Sequence, residues 1–119
     1  MDGMYKDDCA EFGKKLLKVY NLKIFPRMGK IFADMLFQSG VEAGGYICSL
    51  DDVFDYGAKA NLATQATVKL NQAAYILGVM KEAGYYTQEE IAELEEAIDD
   101  LLQNVKGALG PGFGQTYRM

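Results

Sequence analysis

The chain has 119 residues, half of them hydrophobic, with 8 Tyr, 6 Phe, 12 basic and 17 acidic side chains. This length suits one domain, and the content of large apolar residues excludes a wholly disordered chain. Two cysteines are too few for a disulfide-dense secreted scaffold, no stretch approaches the ~18 uninterrupted apolar residues of a membrane span, and Met1–Asp8 lacks the pattern of a secretory signal. We therefore expect a cytoplasmic protein.

The first predicted helix covers about residues 8–24. Its apolar positions recur with the spacing of one helix face, and they are Phe12, Leu16, Val19 and Tyr20. Pro26 is expected to end this helix, because proline disfavours the α conformation of the residue before it. Pro26 also suits the first turn of the next helix, where its missing N–H has no cost.

The second predicted helix covers about residues 27–47. Its apolar stripe consists of Met28, Phe32, Met35, Ser39, Ala43 and Tyr46, widened by Ile31, Leu36 and Ile47. Phe37 and Val41 fall on the far side of this stripe, so they are either scattered surface hydrophobes or a contact between subunits. Gly44 and Gly45 are poor helix formers, and we expect them to fray this helix or end it early.

The third predicted helix covers about residues 51–83. Either Ser49 or Asp51 is expected to cap it, with acidic residues in the first turn. The core stripe is rich in small side chains, which permit close approach of a neighbouring helix, and consists of Leu62, Ala66, Leu70, Ala73, Leu77 and Met80. Gly84 supplies the left-handed residue that commonly closes a helix.

The fourth predicted helix covers about residues 88–107. Thr87 and Glu90 have the spacing of a capping box. The apolar face consists of Ile91, Leu94, Ile98, Leu101, Leu102 and Val105, and acidic residues occupy the opposite face. Residues 111–119 are predicted to form a flexible, glycine-rich tail. Four helices with short links predict an all-α, up-down-up-down antiparallel four-helix bundle over residues 1–110.

Charge is distributed unevenly along the chain. The segment from residue 12 to residue 33 contains six cations and no acid, namely Lys14, Lys15, Lys18, Lys23, Arg27 and Lys30. Residues 82–105 contain eight acids and no base. The cations either keep the bundle soluble or bind phosphates, in which case counterion release makes the affinity fall with salt. A net charge of −5 opposes nucleic acid at long range, so a phosphate-binding patch has to act locally.

No catalytic or metal-binding motif is recognisable. The chain contains no histidine, which removes the commonest general base and metal ligand, and di-metal sites in bundles need inward carboxylates with a Glu-x-x-His motif. Asp51, Asp52 and Asp55 lack the spacing of a calcium loop, and Cys9 and Cys48 have no histidine partner for nucleophilic catalysis. The sequence therefore predicts a protein that is not an enzyme, with no cofactor, metal or small-molecule substrate.

Several short segments resemble one family of helical bundles. They are Val19-Tyr20 followed by Phe25-Pro26-Arg27, then Ala66–Leu70, Ile76–Thr87 and Val105–Leu109. In this order they are similar to the four-helix bundle proteins encoded in ribosomal RNA intervening sequences and to the related accessory variability determinants of diversity-generating retroelements. The resemblance covers about residues 12–109.

This resemblance implies a bundle that assembles into a pentameric barrel. It also implies a non-catalytic accessory protein that binds a reverse transcriptase and its template RNA. We expect the six cations to contact phosphates, and we expect Phe37 and Val41 to lie between subunits. The alternative is an acidic protein–protein adaptor of the same bundle family that does not bind nucleic acid.

Overall fold

The structure is a computed structural model that describes residues 5–108. Within this range the chain is helical and contains no strand, and its four α-helices are α1 (Lys6–Leu22), α2 (Met28–Ser49), α3 (Tyr56–Glu82) and α4 (Gln88–Ala108). A short 3₁₀ turn, Leu50–Asp52, follows α2. The prediction of an all-α fold with four helices is confirmed. The predicted tail, residues 111–119, lies outside the described residues.

Each helix packs against two neighbouring helices. α1 contacts α2 and α4, and α3 contacts the same two helices. The direction of packing is clear between α1 and α2, where Leu16 lies against Gly40 and Tyr20 lies against Phe37. Residue numbers rise along α1 as they fall along α2, so these two helices are antiparallel. None of the helices in residues 5–108 has the length and apolar character needed to cross a membrane.

The core is built mainly from the predicted stripes of α1, α3 and α4. These three helices bury Phe12, Leu16, Val19, Ala63, Ala66, Leu70, Ala73, Ile76, Leu77, Met80, Ile91, Leu94, Ala97, Ile98, Leu101 and Val105. Leu62 and Leu102 are only partly buried at its edge. Local periodicity was sufficient here because each of these faces carries its large apolar side chains at helical spacing.

The predicted core stripe of α2 is wrong in part. The buried face is made mostly of small residues, Gly29, Ala33, Leu36, Ser39, Gly40, Ala43 and Ile47. Met28, Ile31 and Met35, which were assigned to the core, are exposed. One reason is close packing: a Cβ added at Gly40 would lie 2.5 Å from Cδ2 of Leu16, so no larger side chain fits at this position.

α2 extends two residues past its predicted end at about residue 47, and it does not end early at its two glycines. The helix continues through Gly44 and Gly45 to Ser49, and the Ser49 hydroxyl donates a hydrogen bond to the carbonyl oxygen of Gly45, 2.9 Å away. Packing against α3 and α1 therefore outweighs the low helix propensity of two glycines, about 1 kcal/mol each. Ser49 belongs to the last turn of α2 and does not cap α3.

The N-cap of α3 is Asp55 and not Ser49 or Asp51. Its carboxylate accepts a hydrogen bond from the backbone N–H of Ala58 at 2.9 Å, as expected for a capping aspartate. Asp51 instead accepts from the backbone N–H of Tyr5, at 3.1 Å for one carboxylate oxygen and 3.3 Å for the other. The helix consequently begins at Tyr56, five residues later than predicted.

The link between α1 and α2 differs from the prediction at both ends. α1 ends at Leu22, and Ile24 beyond it is 97% exposed. α2 begins at Met28, so Pro26 lies outside it and not in its first turn. Arg27 is the N-cap residue and has a φ of 52°, a conformation that non-glycine residues seldom adopt.

Both predicted caps around the α3–α4 link are confirmed. Thr87 Oγ1 accepts from the Glu90 N–H at 3.2 Å, and the Glu90 carboxylate accepts from the Thr87 N–H at 2.9 Å. Gly84 has a φ of 88°, and the Tyr85 N–H donates to the carbonyl of Met80 at 2.9 Å. These are the reciprocal bonds of a capping box and the long backbone bond of a glycine-terminated helix.

Candidate interaction surface

The α1–α2 and α3–α4 links meet at one end of the bundle in an aromatic cluster. The ring of Phe25 stands edge-on to Tyr85 and Tyr86, with centroid distances of 5.1 and 5.3 Å. The buried Tyr86 hydroxyl donates to the carbonyl of Val19 at 3.0 Å. Burial, followed by the nearby Glu90 carboxylate, raises the pKa of Tyr86 to about 12. Lys23, one of the residues predicted to bind phosphate, lies over the Tyr86 ring of this cluster, with its ammonium 5.8 Å from the ring centroid.

Lys23 is bound to the α3–α4 link. Its ammonium lies 2.8 Å from a carboxylate oxygen of Glu90 and donates to the carbonyl of Tyr85 at 3.0 Å. The hydrogen bond from Lys23, then that from the Thr87 N–H, lowers the pKa of Glu90. Lys23 therefore joins two loops that are distant in sequence, and its charge is already compensated within the chain.

Lys30 belongs to a polar triad between α1 and α2. Its ammonium lies 2.8 Å from Asp34, and the Tyr20 hydroxyl donates to the other oxygen of the same carboxylate at 2.6 Å. These two hydrogen bonds lower the pKa of Asp34, with Lys30 the larger cause. The same contacts raise the pKa of Tyr20 and that of Lys30. This cation is therefore also paired.

The four remaining predicted phosphate-binding residues divide into two groups. Lys14 pairs with Glu11 at 3.2 Å, and Lys18 pairs with Glu93 of α4 at 3.4 Å. Lys15 is half-buried and Arg27 is exposed, and neither forms an ion pair with a carboxylate in residues 5–108. The acid-free run of sequence is thus not an acid-free surface, because residues of α2, α4 and the start of α1 supply carboxylates.

The two predicted subunit-contact residues have different environments. Phe37 is half-buried and packs on Tyr20, with ring centroids 4.8 Å apart. Val41 is 53% exposed. Phe37 therefore contributes to the bundle itself, whereas Val41 presents its side chain to solvent.

A second exposed apolar group lies elsewhere on α2 and was not identified from sequence. Met28, Ile31 and Met35 are all exposed, and their spacing of three and four residues places them on one face of the helix. A signal for this row existed in the sequence, because α2 has more apolar positions than one buried face can hold. Gly29 and Gly40 were not assigned to the buried face of α2 from the sequence, although both lie there.

The outer face of α4 is acidic. It exposes Glu89, Glu93, Glu96, Asp99 and Asp100. Within residues 5–108, Lys18 pairs with Glu93, and no cation pairs with the other four. In the same range, no three cysteine, aspartate or glutamate side chains converge where a metal ion could be held. This face can attract a cationic partner by its field.

Comparison with known proteins identifies no family for this chain. No protein-family model matches it, and no curated protein or solved structure matches it. Its function is therefore inferred from its own residues and from the resemblance of its short segments.

Proposed function

We propose that this chain is a non-catalytic accessory bundle that assembles with copies of itself and binds a reverse transcriptase and its template RNA. This is the role that the resemblance to accessory variability determinants implies, with five copies forming a barrel. The observation that carries the proposal is the set of exposed apolar side chains on α2. Apolar side chains that lie together on the outside of a helix are typical of a contact with another chain.

The exposed apolar residues of α2 support self-assembly. Met28, Ile31 and Met35 form one row, and Val41 is exposed one turn after Phe37, on a different side of the helix. Contiguous exposed apolar surface marks contact sites, and its burial contributes about 25 cal/mol per Å². Because α2 offers apolar residues on both sides, it can contact a neighbouring copy without disturbing its own core.

Lys15 and Arg27 are the residues best suited to contact RNA, because no carboxylate in residues 5–108 pairs with either one. The pairs made by Lys14, Lys18 and Lys30 are largely exposed, and such pairs contribute only about 0–1 kcal/mol. A phosphate can therefore replace the carboxylate at small cost. A ring of copies would repeat this local cationic surface and offset the overall negative charge.

RNA titration at two salt concentrations tests the nucleic-acid part of this proposal. We expect the affinity of the wild-type protein for a structured RNA to fall steeply as salt rises. The double variant Lys15→Gln/Arg27→Gln should bind more weakly, with a salt slope smaller by about two phosphate contacts. Lys59→Gln/Lys106→Gln is the matched control, because it removes the same charge at the opposite end of the bundle.

Two results would contradict RNA binding through this surface. One is no detectable binding at ~50 mM salt, where counterion release favours association most strongly. The other is an equal loss of affinity in both double variants, which would reflect only the change in net charge.

The second candidate function is a protein–protein adaptor that uses the acidic face of α4. The observation that favours it is the group of four α4 carboxylates without a described ion pair. In this case a cationic protein partner, and not RNA, should bind with an affinity that falls with salt. Glu96→Gln/Asp100→Gln should weaken that binding, whereas Lys15→Gln/Arg27→Gln should leave it unchanged or strengthen it.

A further inference from the structure

The proposed function uses neither of the two cysteines. Both are half-buried free thiols; Cys9 lies on α1 and Cys48 lies near the end of α2. The register of the two helices relates them. Tyr20 and Phe37 are in contact across α1 and α2, with centroids 4.8 Å apart. Cys9 lies eleven residues before Tyr20, and Cys48 lies eleven residues after Phe37. Eleven residues make about three helical turns. Each cysteine therefore lies on the same side of its helix as the aromatic residue, and the two cysteines face each other across α1 and α2.

Contacts on both sides of the cysteines hold this register. Towards the middle of the bundle, Leu16 lies directly against Gly40. Towards the end, the Tyr5 N–H donates to the Asp51 carboxylate at 3.1 Å. Cys9 is one turn after Tyr5, and its N–H donates to the Tyr5 carbonyl at 2.9 Å. Cys48 is about one turn before Asp51, so the two thiols are level with each other.

We propose that Cys9 and Cys48 are a disulfide-forming pair that locks the start of α1 to the end of α2 when the chain meets a small disulfide such as oxidised glutathione. A disulfide needs Cα atoms within about 4.4–6.8 Å, which requires closely packed helices. Gly40 provides this close approach in the middle of the interface, and the hydrogen bond from Tyr5 to Asp51 holds the segments together on the other side of the cysteines.

The electrostatic environment of Cys9 agrees with a nearby second thiol. The pKa of Cys9 is raised to about 12, chiefly by burial and next by Cys48, with smaller contributions from Asp8 and Asp51. Cys9 consequently keeps its proton at neutral pH and is a poor first nucleophile, since the thiolate is the reactive form. The reaction therefore begins at Cys48.

The exchange proceeds in two balanced steps. The Cys48 thiolate attacks one sulfur of oxidised glutathione, forms a mixed disulfide and releases one glutathione thiolate, which takes up the proton that Cys48 lost. The Cys9 sulfur then displaces the second glutathione, and the Cys9 proton passes to that leaving thiolate. The protein loses two hydrogens and two electrons, and one oxidised glutathione becomes two reduced molecules.

The test is a redox titration of the full chain with mixtures of reduced and oxidised glutathione. Remaining thiols are then blocked with a maleimide, and the intact mass is measured. We expect a monomeric species that carries neither maleimide nor glutathione and has lost two hydrogens. Peptide mapping should show Cys9 joined to Cys48, and reductant should restore both thiols.

Single variants provide the control. Cys9→Ser should accumulate one stable glutathione adduct on Cys48, because the second thiol that resolves it is missing, whereas Cys48→Ser should react much more slowly because only the protonated Cys9 thiol remains. The proposal is overturned if the wild-type chain accumulates two glutathione adducts, or forms only disulfides between chains. It is equally overturned if the wild-type chain stays fully reduced in mixtures that modify the Cys9→Ser variant. These outcomes do not depend on RNA binding or self-assembly.

Discussion

The packing of Leu16 of α1 on Gly40 of α2 makes position 40 sensitive to a small increase in side-chain size. A Cβ at this position would lie 2.5 Å from Cδ2 and 3.0 Å from Cδ1 of Leu16, whereas carbon atoms in favourable contact are about 3.5–4.0 Å apart. Leu16 is itself only 2% exposed, so its methyl groups have no solvent-filled space to move into. Either the side chain or the helix spacing has to change.

The size of the effect follows from two opposing contributions. Adding a methyl group to a filled core costs about 1–3 kcal/mol. Replacing glycine by alanine within a helix stabilises it by about 1 kcal/mol. We therefore expect Gly40→Ala to lower the free energy of unfolding by up to about 2 kcal/mol.

Gly44→Ala is the matched control on the same helix. A Cβ there meets nothing within 4 Å, so only the gain in helix propensity remains and stability should rise by about 1 kcal/mol. Urea denaturation followed by far-UV circular dichroism measures both variants. The expected difference between them is about 1–3 kcal/mol, which is the cost of the clash alone.

A double-mutant cycle assigns the clash to its partner. In a Leu16→Ala background, which itself costs about 2–5 kcal/mol, the obstructing methyl groups are gone. Gly40→Ala should then stabilise the protein about as much as Gly44→Ala does in the wild type. The close packing of α1 on α2 is refuted if Gly40→Ala and Gly44→Ala have the same effect on the free energy of unfolding, or if Leu16→Ala leaves the effect of Gly40→Ala unchanged.

Three further predictions concern the end of the bundle that carries the aromatic cluster. Thr87→Ala should lower the free energy of unfolding in urea by about 1 kcal/mol, because it removes the N-cap of α4; no loss would contradict the capping box. Tyr86→Phe should cost about 1–3 kcal/mol in the same assay, because the Val19 carbonyl loses its buried donor, and a neutral result would mean that water replaces it. Lys23 lowers the pKa of Glu90 below its ordinary value of 4.5, so the stability from this pair is present above pH 4.5 and is lost as the pH falls through the lower folded-state pKa. Glu90→Gln should therefore make thermal stability less sensitive to acid, and an unchanged pH profile would exclude this pair as a contributor.

The parts of the fold that the sequence predicted depend on local patterns. The capping box of Thr87 and Glu90, the left-handed Gly84 and the apolar face of α4 each involve residues within a few positions of one another. Their physical causes are backbone hydrogen bonds and helical spacing, which a single segment displays fully. These features were correct for that reason.

The errors share a different cause, which is contact between segments far apart in sequence. The buried face of α2 is decided by Leu16 of α1 meeting Gly40, and the α3 cap shifts to Asp55 because Asp51 bonds to Tyr5. A sequence pattern gives the apolar content of a helix, but it does not show on which face a neighbouring helix packs so closely that only small side chains fit. The side with large side chains was therefore wrongly assigned to the core.

The candidate interaction surface could be predicted only in part for the same reason. The cations were identified, but their ion pairs were not. Lys14 and Lys30 pair with carboxylates of their own helices, whereas Lys18 and Lys23 pair with carboxylates of α4. Phe37 was predicted to lie between subunits, but within the chain it packs on Tyr20 of α1, a contact that local spacing does not show. Residue type and spacing identify the charged and apolar side chains. The tertiary structure determines which of them are exposed and unpaired, and can therefore contact another molecule.

Light scattering on the purified chain at micromolar concentration tests the central claim, self-assembly through α2, most directly. We expect a mass of several copies for the wild type and a smaller mass for Val41→Glu. Val68→Glu is the matched control, because Val68 of α3 is exposed to a similar extent, 50% against 53% for Val41, and should leave the mass unchanged. A wild-type chain that remains a monomer, or an assembly that both variants disrupt equally, would contradict the account.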